Sequence, residues 1–379
     1  MSIQPHHSPN MIHSNAHPVR QVIMVFLLSA FYLFAIAVPR QPAKPTATLR
    51  AGTASVDITP DLPIWLSGYA SRDKPASGVG QRLHAKALAL DDGQGGSVVI
   101  VTVDILGLSK EIIEEVRGRV GGAGGVDPSR ILFNSSHTHT GPVIWPCLDV
   151  VYEFSPEDQR RLSAYRQQLT QSLINLIDSA SARLSPARMY FGRGEAGFAI
   201  NRRGAIHPNG PIDHEVPVIK VTGTDGSTRA LLFGYACHNT TIEVEYHEIS
   251  GDWAGFAQEA LEKTHPGAVA LFMTGCAGDQ NPEPRGTLQQ AKDHAAELVS
   301  SIDSVLDLPM QEVHAPIRTV RMEVNLPFQP VDRSAYQKDL AGENIYKQRR
   351  AKLMLQAFNK GWKVDSYAYP IQGVRFGRS

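Results

Sequence analysis

The chain has 379 residues of near-average composition, with 37 lysines plus arginines against 37 aspartates plus glutamates. That length accommodates one large domain or two modest ones. Zero formal net charge and few, scattered aromatics leave no electrostatic footprint for nucleic acid, so no nucleic-acid partner is expected.

In chain order, Val22 to Val38 (VIMVFLLSAFYLFAIAV) comes first, an uncharged apolar run preceded by His17 and Arg20. It ends in the small-x-small pattern Ala35-Ile36-Ala37, and Pro39 and Pro42 break any helix beyond. Its length is at the short limit of a membrane span, which requires about twenty residues, and the pattern fits a secretory signal peptide, with an uncleaved anchor as the alternative. The polar first twenty residues are long for a signal n-region, so Met11 is a second candidate start. The expectation is residues 1–48 as signal or anchor plus a Pro-rich linker (about Pro39 to Thr48), and 49–379 as one exported domain, periplasmic or secreted. Any association with a membrane surface would run through 22–38.

Ala51 to Pro60 reads as a strand entering a turn. Leu83–Leu90 and Ser97–Val103 are β-rich runs joined by Asp91-Asp92-Gly93-Gln94-Gly95-Gly96, a hairpin pattern. Ser109–Val120 has helical spacing. The glycine cluster 121–125 leads into a strand rather than a helix, so it is not a phosphate loop. Ser155-Pro156-Glu157-Asp158 opens a long helix to about Ala182, and Thr287-x-x-Gln290 opens another to about Leu306, both with capping boxes. Between them fall strands at Ala187–Phe191, Val216–Val221, Ala230–Ala236 and Val269–Thr274, and a helix at Trp253–Lys263. Strands mixed with helices, without a strict βαβ rhythm, argue for a layered α/β or α+β fold rather than a barrel. Three cysteines, Cys147, Cys237 and Cys276, form no disulfide framework; export permits one bridge, of which Cys237–Cys276 is the conceivable one.

Three polar strand ends carry the chemistry. In Asn134 to Pro142 (NSSHTHTGP), His137 and His139 would share one face of an extended segment, and neutral imidazole is a common ligand of divalent metals. The plainer reading is a polar strand end whose histidines bond to water. His238 ends the apolar run Leu231–Ala236, with Cys237 on the opposite face and so a poor co-ligand. Phe272 to Pro282 ends in a Gly278-Asp279 turn that presents amide donors or a carboxylate, or is simply a tight turn. In Ser250-Gly251-Asp252-Trp253, Asp252 is a candidate helix N-cap.

From about Ala51 to the C-terminus these motifs, taken in order, resemble the neutral/alkaline (non-lysosomal) ceramidase family in its bacterial branch. The set is Ala54-Ser55-Val56-Asp57-Ile58-Thr59-Pro60, Val103 to Leu108, His137 to Pro142, Ile200-Asn201-Arg202-Arg203, Ala236-Cys237-His238, Ser250-Gly251-Asp252 and Gly278 to Pro282. The resemblance implies a four-layer α/β/β/α sandwich of mixed sheets flanked by helices. It implies Zn2+ held by His137 and His238, His139 moving a proton beside the metal, and Arg202 reaching substrate oxygens, the alternative for Arg202 being a surface ion pair. Asp252 and Asp279 are the carboxylates expected to fix imidazole tautomers. The implied reaction is hydrolysis of an N-acyl amide bond in a ceramide-like lipid by metal-activated water. The alternatives are an exported, catalytically impaired ceramidase-like domain acting at most as a binding protein, and an unrelated metallohydrolase using the H-x-H pair.

Two departures from the family pattern enter the expectation. Asn281 stands where the family has a Gly-Asp-x-Ser-Pro serine, which excludes a serine nucleophile there and puts ceramide specificity in doubt. The family's remaining zinc ligands, a Glu and a Tyr, follow a strand resembling Tyr369–Gly377, beyond which this chain has only two residues. Glu343, in Leu340-Ala341-Gly342-Glu343, precedes that strand in a polar helical run to Phe358 and is not assigned as a ligand. The expectation is a truncated copy with at most half the metal ligands, weak zinc binding and poor hydrolysis.

Overall fold

The computed structural model describes residues 49–120, 126–329, 332–362 and 365–377. The apolar run 22–38 and the glycine cluster 121–125 lie outside the described residues. In chain order the strands are β1 (Arg50–Asp57), β2 (Gly78–Val79), β3 (His84–Asp91), β4 (Ser97–Val103), β5 (Ile131–Ser135), β6 (Ser185–Glu195), β7 (Ala199–Asn201), β8 (Glu215–Gly223), β9 (Thr228–Tyr235), β10 (Glu248–Ile249), β11 (Val269–Thr274), β12 (Gln280–Pro282), β13 (Gln311–Val313), β14 (Ile317–Pro327) and β15 (Ser366–Phe376). The helices are α1 (Lys110–Arg119), α2 (Pro156–Ala182), α3 (Asp252–Thr264), α4 (Leu288–Leu306), α5 (Arg333–Ala341) and α6 (Ile345–Asn359).

Eight strands form one path, β11-β9-β8-β6-β1-β3-β4-β5, and a ninth, β13, pairs with β6 off that path. The path is two sheets joined at a seam, because β1 and β6 pair only at Arg50–Pro186 and Ala51–Ser185. The two-residue period of a strand then sorts side chains into layers. On one half, Ala85, Ala87 and Ala89 of β3 and Val99, Val101 and Val103 of β4 pack under Leu162, Leu169, Leu173 and Ile177 of α2 and Ile112 and Val116 of α1. On the other, Val216, Val218, Leu231, Phe233, Ala270 and Phe272 pack under Trp253, Ala257 and Leu261 of α3 and Ala295, Leu298 and Ile302 of α4. The alternate residues of both halves meet in a third cluster: Leu88, Leu90, Val98 and Ile100 with Val221, Leu232 and Leu271. The result is the α/β/β/α arrangement that the resemblance implied.

Local signals carry the helix starts. Ser155 with Asp158, and Thr287 with Gln290, make reciprocal capping boxes. The polar run around Glu343 is two helices rather than one, because Gly342 closes α5 and Asn344 caps α6. The paired strands β14 and β15 leave one ribbon face exposed, with Met322 beside Ile371 and Leu326 beside Tyr367. The other face reaches α1 through Arg321–Glu114 and Gln372–Arg117. All three cysteines are free thiols, so the Cys237–Cys276 bridge does not form. No helix among the described residues is long and apolar enough to cross a membrane.

Candidate metal centre

The site forms where β5 of one sheet and β9 and β11 of the other reach a common rim. Asn134 ties the two sheets beneath it: its Nδ2 donates to Thr274 O (3.1 Å) and its Oδ1 accepts from Thr274 N (2.9 Å). Two residues past β5 the chain does not stay extended. His137 has φ of 61°, a left-handed conformation that costs a non-glycine residue on the order of 1–3 kcal/mol. Its N–H bonds Ile105 O, which continues the strand-edge ladder begun by Ser136 N to Val103 O. Simple alternation along a strand is therefore not what brings His137 and His139 together. Their rings meet edge-to-face at 5.1 Å, and each lies near His238, at 4.6 and 5.3 Å.

His238 comes three residues after β9, and its N–H bonds Gln280 O of β12. β12 pairs with β7, register Gln280↔Asn201, which brings Arg202 to the same rim. The ring Nδ1 of His137 lies 2.7 Å from Leu106 O, and that of His238 lies 2.8 Å from Ala277 O. A carbonyl oxygen only accepts, so both rings carry the proton on Nδ1 and leave Nε2 as a lone-pair donor. This corrects the expectation for the two carboxylates. Asp252 accepts instead from Ile242 N and Trp253 N, and Asp279 Oδ2 from Asn201 Nδ2. Main-chain carbonyls, which have no sequence signature, orient the imidazoles. Asp252 follows Gly251, the cap position of α3, so its role as N-cap is also not realised.

His139 differs from both: its two ring nitrogens are buried without a hydrogen-bond partner. Burial first, then the charges of His137, His238, Arg202 and Arg72, hold its pKa down at about 3. Burial also lowers His238, to about 4, against the pull of the Ala277 carbonyl. Neutral imidazoles with free lone pairs are what a borderline divalent metal requires. The ligand atoms of His137, His139 and His238 all lie within 4.8 Å of one another. Two orphaned nitrogens beside two presented ones fit an ion better than an empty polar pocket, because an unsatisfied buried group costs about 1–3 kcal/mol.

Arg202 donates through Nε and Nη2 to Gly278 O (3.1 and 2.7 Å) and through Nη1 to Asn281 Oδ1 (3.3 Å). It makes no ion pair among the described residues, and burial with Arg203 and Arg285 nearby lowers its pKa. Asn281 therefore serves as an acceptor that orients Arg202. Cys237 lies in the apolar cluster under α3, away from the histidines, as the alternation at β9 implied.

Other residues at the rim tie the two histidine loops to α3. Trp253 Nε1 donates to His238 O (3.1 Å), Asn239 Nδ2 donates to Gly251 O, and Thr138 and Thr140 both donate to Ser250 O. The Ser250-Gly251-Asp252 segment is thus a buried junction joining the two histidine loops to α3. Gly68, Tyr69 and Arg72 surround His139 from a segment whose turn-rich sequence points to no chemistry.

Comparison with known proteins adds the following. The family described as neutral/alkaline non-lysosomal ceramidase, N-terminal, matches residues 49–315. The chain is 25% identical over 266 residues to a neutral ceramidase of Mycobacterium tuberculosis, covering 63% of this chain and 41% of that protein. It is 25% identical over 278 residues to the neutral ceramidase of Pseudomonas aeruginosa, covering 68% and 40%. The solved structure of a neutral ceramidase from Pseudomonas aeruginosa superposes with a TM-score of 0.69 at 20% identity, over 87% of this chain and 61% of that one. A ceramidase complexed with C2 gives 0.65 at 21% identity, over 73% and 47%. The chain thus spans about two-fifths of the length of these curated relatives.

Proposed function

The chain belongs to the neutral/alkaline non-lysosomal ceramidase family, and from that premise we propose that its histidine pocket is a zinc site hydrolysing the N-acyl amide bond of a ceramide-like lipid. Membership removes the reading of an unrelated metallohydrolase. The observation that carries the proposal is the convergence of three imidazoles, two with Nε2 presented by carbonyl-bound Nδ1 and one with both nitrogens unpartnered. His137 and His238 would hold the ion. Bound there, zinc would supply a Lewis acid for the amide carbonyl and a means of ionising water near neutral pH.

The chain's own groups have separable tasks. His139 has both ring nitrogens free of other partners, so it is the group placed to take a proton from water and return it to the leaving amine. Arg202, anchored to Gly278 O and Asn281 Oδ1, presents a permanently charged donor to substrate oxygens. Asn281 cannot act as a nucleophile, so the route is attack by water. The substrate class comes from the relatives, which are named neutral ceramidases.

A second reading is a metal-binding domain with feeble hydrolysis. It is favoured because no carboxylate joins the histidine cluster among the described residues. The deciding experiment measures zinc content and release of fatty acid from a short-chain ceramide for the native chain, His137→Ala and His238→Ala. Hydrolysis that needs both histidines supports the enzyme. Zinc held without turnover favours the second reading, and zinc binding indifferent to both substitutions defeats each. The apolar run 22–38 supports export, periplasmic or secreted, which cell fractionation would test.

A further inference from the structure

We propose that the segment Gly68–Arg72, which contributes no metal donor, positions His139 in the pocket. His137 and His238 have their rings fixed by carbonyl bonds, whereas His139 has no hydrogen bond on either nitrogen. Its orientation must come from packing and from its own backbone, and one loop supplies both. Gly68 lies against the ring: a Cβ added there would stand 2.5 Å from His139 Nδ1 and 2.7 Å from its Cβ, and Gly68 has φ of +96°. Only glycine fits that approach and that backbone.

Tyr69 closes a second side, its ring 4.9 Å from the imidazole and tilted 65°. It is held at both ends, its hydroxyl donating to Ile242 O (2.7 Å) and its carbonyl accepting from Tyr152 Oη (2.9 Å). Arg72, buried, holds the backbone: Nη2 donates to His139 O (3.1 Å), and Nη1 to Val244 O (3.1 Å) and Tyr246 O (3.0 Å). Its guanidinium makes no ion pair with a carboxylate among the described residues, so its fork is spent on carbonyls of two loops. Ser67 N and Oγ both donate to Gly141 O, which lays the segment alongside the H-x-H motif. The arrangement fixes the imidazole while leaving both nitrogens free, which a hydrogen-bonded tether would not. Gly68, Tyr69 and Arg72 are positioning residues, acting through the ring and backbone of His139.

For its chemistry, though not its geometry, the proposal rests on the zinc reading above. The test is a double-mutant cycle on the full chain, with Zn2+ affinity from competition with a chromophoric chelator and the visible spectrum of the Co2+ form. Gly68→Ala should weaken Zn2+ binding about 10–100-fold, the usual effect of disturbing groups that orient a metal site, and should shift the Co2+ bands. Beside His139→Ala the same substitution should change neither. Arg72→Lys, a milder variant that keeps the charge and loses the fork, should act in the same direction and be equally silent beside His139→Ala. Equal effects in both backgrounds, or no effect in either, would overturn the proposal. If His139→Ala itself leaves metal binding untouched, the placement of His139 beside the ion fails separately. Urea midpoints of the same cycle then decide the clamp: Gly68→Ala must destabilise more with His139 present than without it.

Discussion

Acidification should loosen the metal-free protein through His139, and the structure sets the size of the effect. In the fold this imidazole accepts its proton only near pH 3, whereas in the unfolded chain it does so near 6.5. Between those values the unfolded chain binds more protons, so stability rises with pH across the window. The contribution is complete above about pH 6.5 and is lost as pH falls toward 3. Its full size is about 5 kcal/mol, comparable to the whole stability of an ordinary domain, about 5–15 kcal/mol. His238, held near 4 by burial, acts with the same sign. The two do not simply add, because part of the His139 depression is the charge of His238.

The informative perturbation is His139→Gln, which keeps a polar side chain and removes the titration. Urea unfolding of metal-stripped protein, stepped from neutral pH down to about 4, gives the stability slope of each form. The native chain should lose stability steeply, and His139→Gln should lose markedly less. Parallel curves would refute the reasoning, since the burial and neighbouring charges invoked for His139 would then have no thermodynamic weight.

Asp252 should slope the other way. Burial pushes it up to about 6 against the pull of its backbone N–H bonds, so the fold gains stability from its proton, and that gain disappears as pH rises from about 4 to 6, by about 3 kcal/mol. Asp252→Asn should therefore be most destabilising in acid, with the gap narrowing toward neutrality; a widening gap in urea melts would mean that the N–H bonds outweigh burial. Lys86 is 3% exposed and paired with Glu262, whose side chain is 33% exposed. Glu262→Ala should thus leave the buried ammonium with Ala270 O but no counter-charge and cost about 3–5 kcal/mol, while Lys86→Met should cost less; equal losses in chemical denaturation would contradict this. Trp253→Phe removes the donor to His238 O and should cost about 1–3 kcal/mol for the orphaned carbonyl and lost volume, a loss that thermal melts would miss only if water refills the bond.

The legible parts of the fold were those written locally. Ser155 and Asp158 announce α2, and Thr287 and Gln290 announce α4, because each box closes within four residues. The β3–β4 hairpin is legible because its turn residues lie between two β-rich runs. The four-layer stacking rests on a seam of two residue pairs between β1 and β6, and no local pattern marks a seam. The resemblance, not periodicity, supplied that part. At the site, motif reading singled out His137, His139, His238 and Arg202, and the fold brings these four to one rim. It placed Asp252 and Asp279 beside the imidazoles, where Leu106 O and Ala277 O stand. Every residue has a carbonyl, so that choice could not be seen in the sequence.

His137 reaches the other histidines by a route other than the expected one. The expectation of a shared face assumed extended backbone, yet at φ of 61° the alternation is broken between His137 and His139. Left-handed backbone at a histidine persists only where neighbours over-determine it. Here they do: Ser136 N on Val103 O and His137 N on Ile105 O hold the approach, and His137 Nδ1 on Leu106 O holds the ring. All three acceptors lie in the segment Val103-Asp104-Ile105-Leu106, which continues β4. The motif around His137 and the motif at Val103 are therefore one structural device: the second supplies the carbonyls that bend the first toward His238. A substitution that shortened or re-registered β4 against β5 would move His137 without touching any residue of the H-x-H pair.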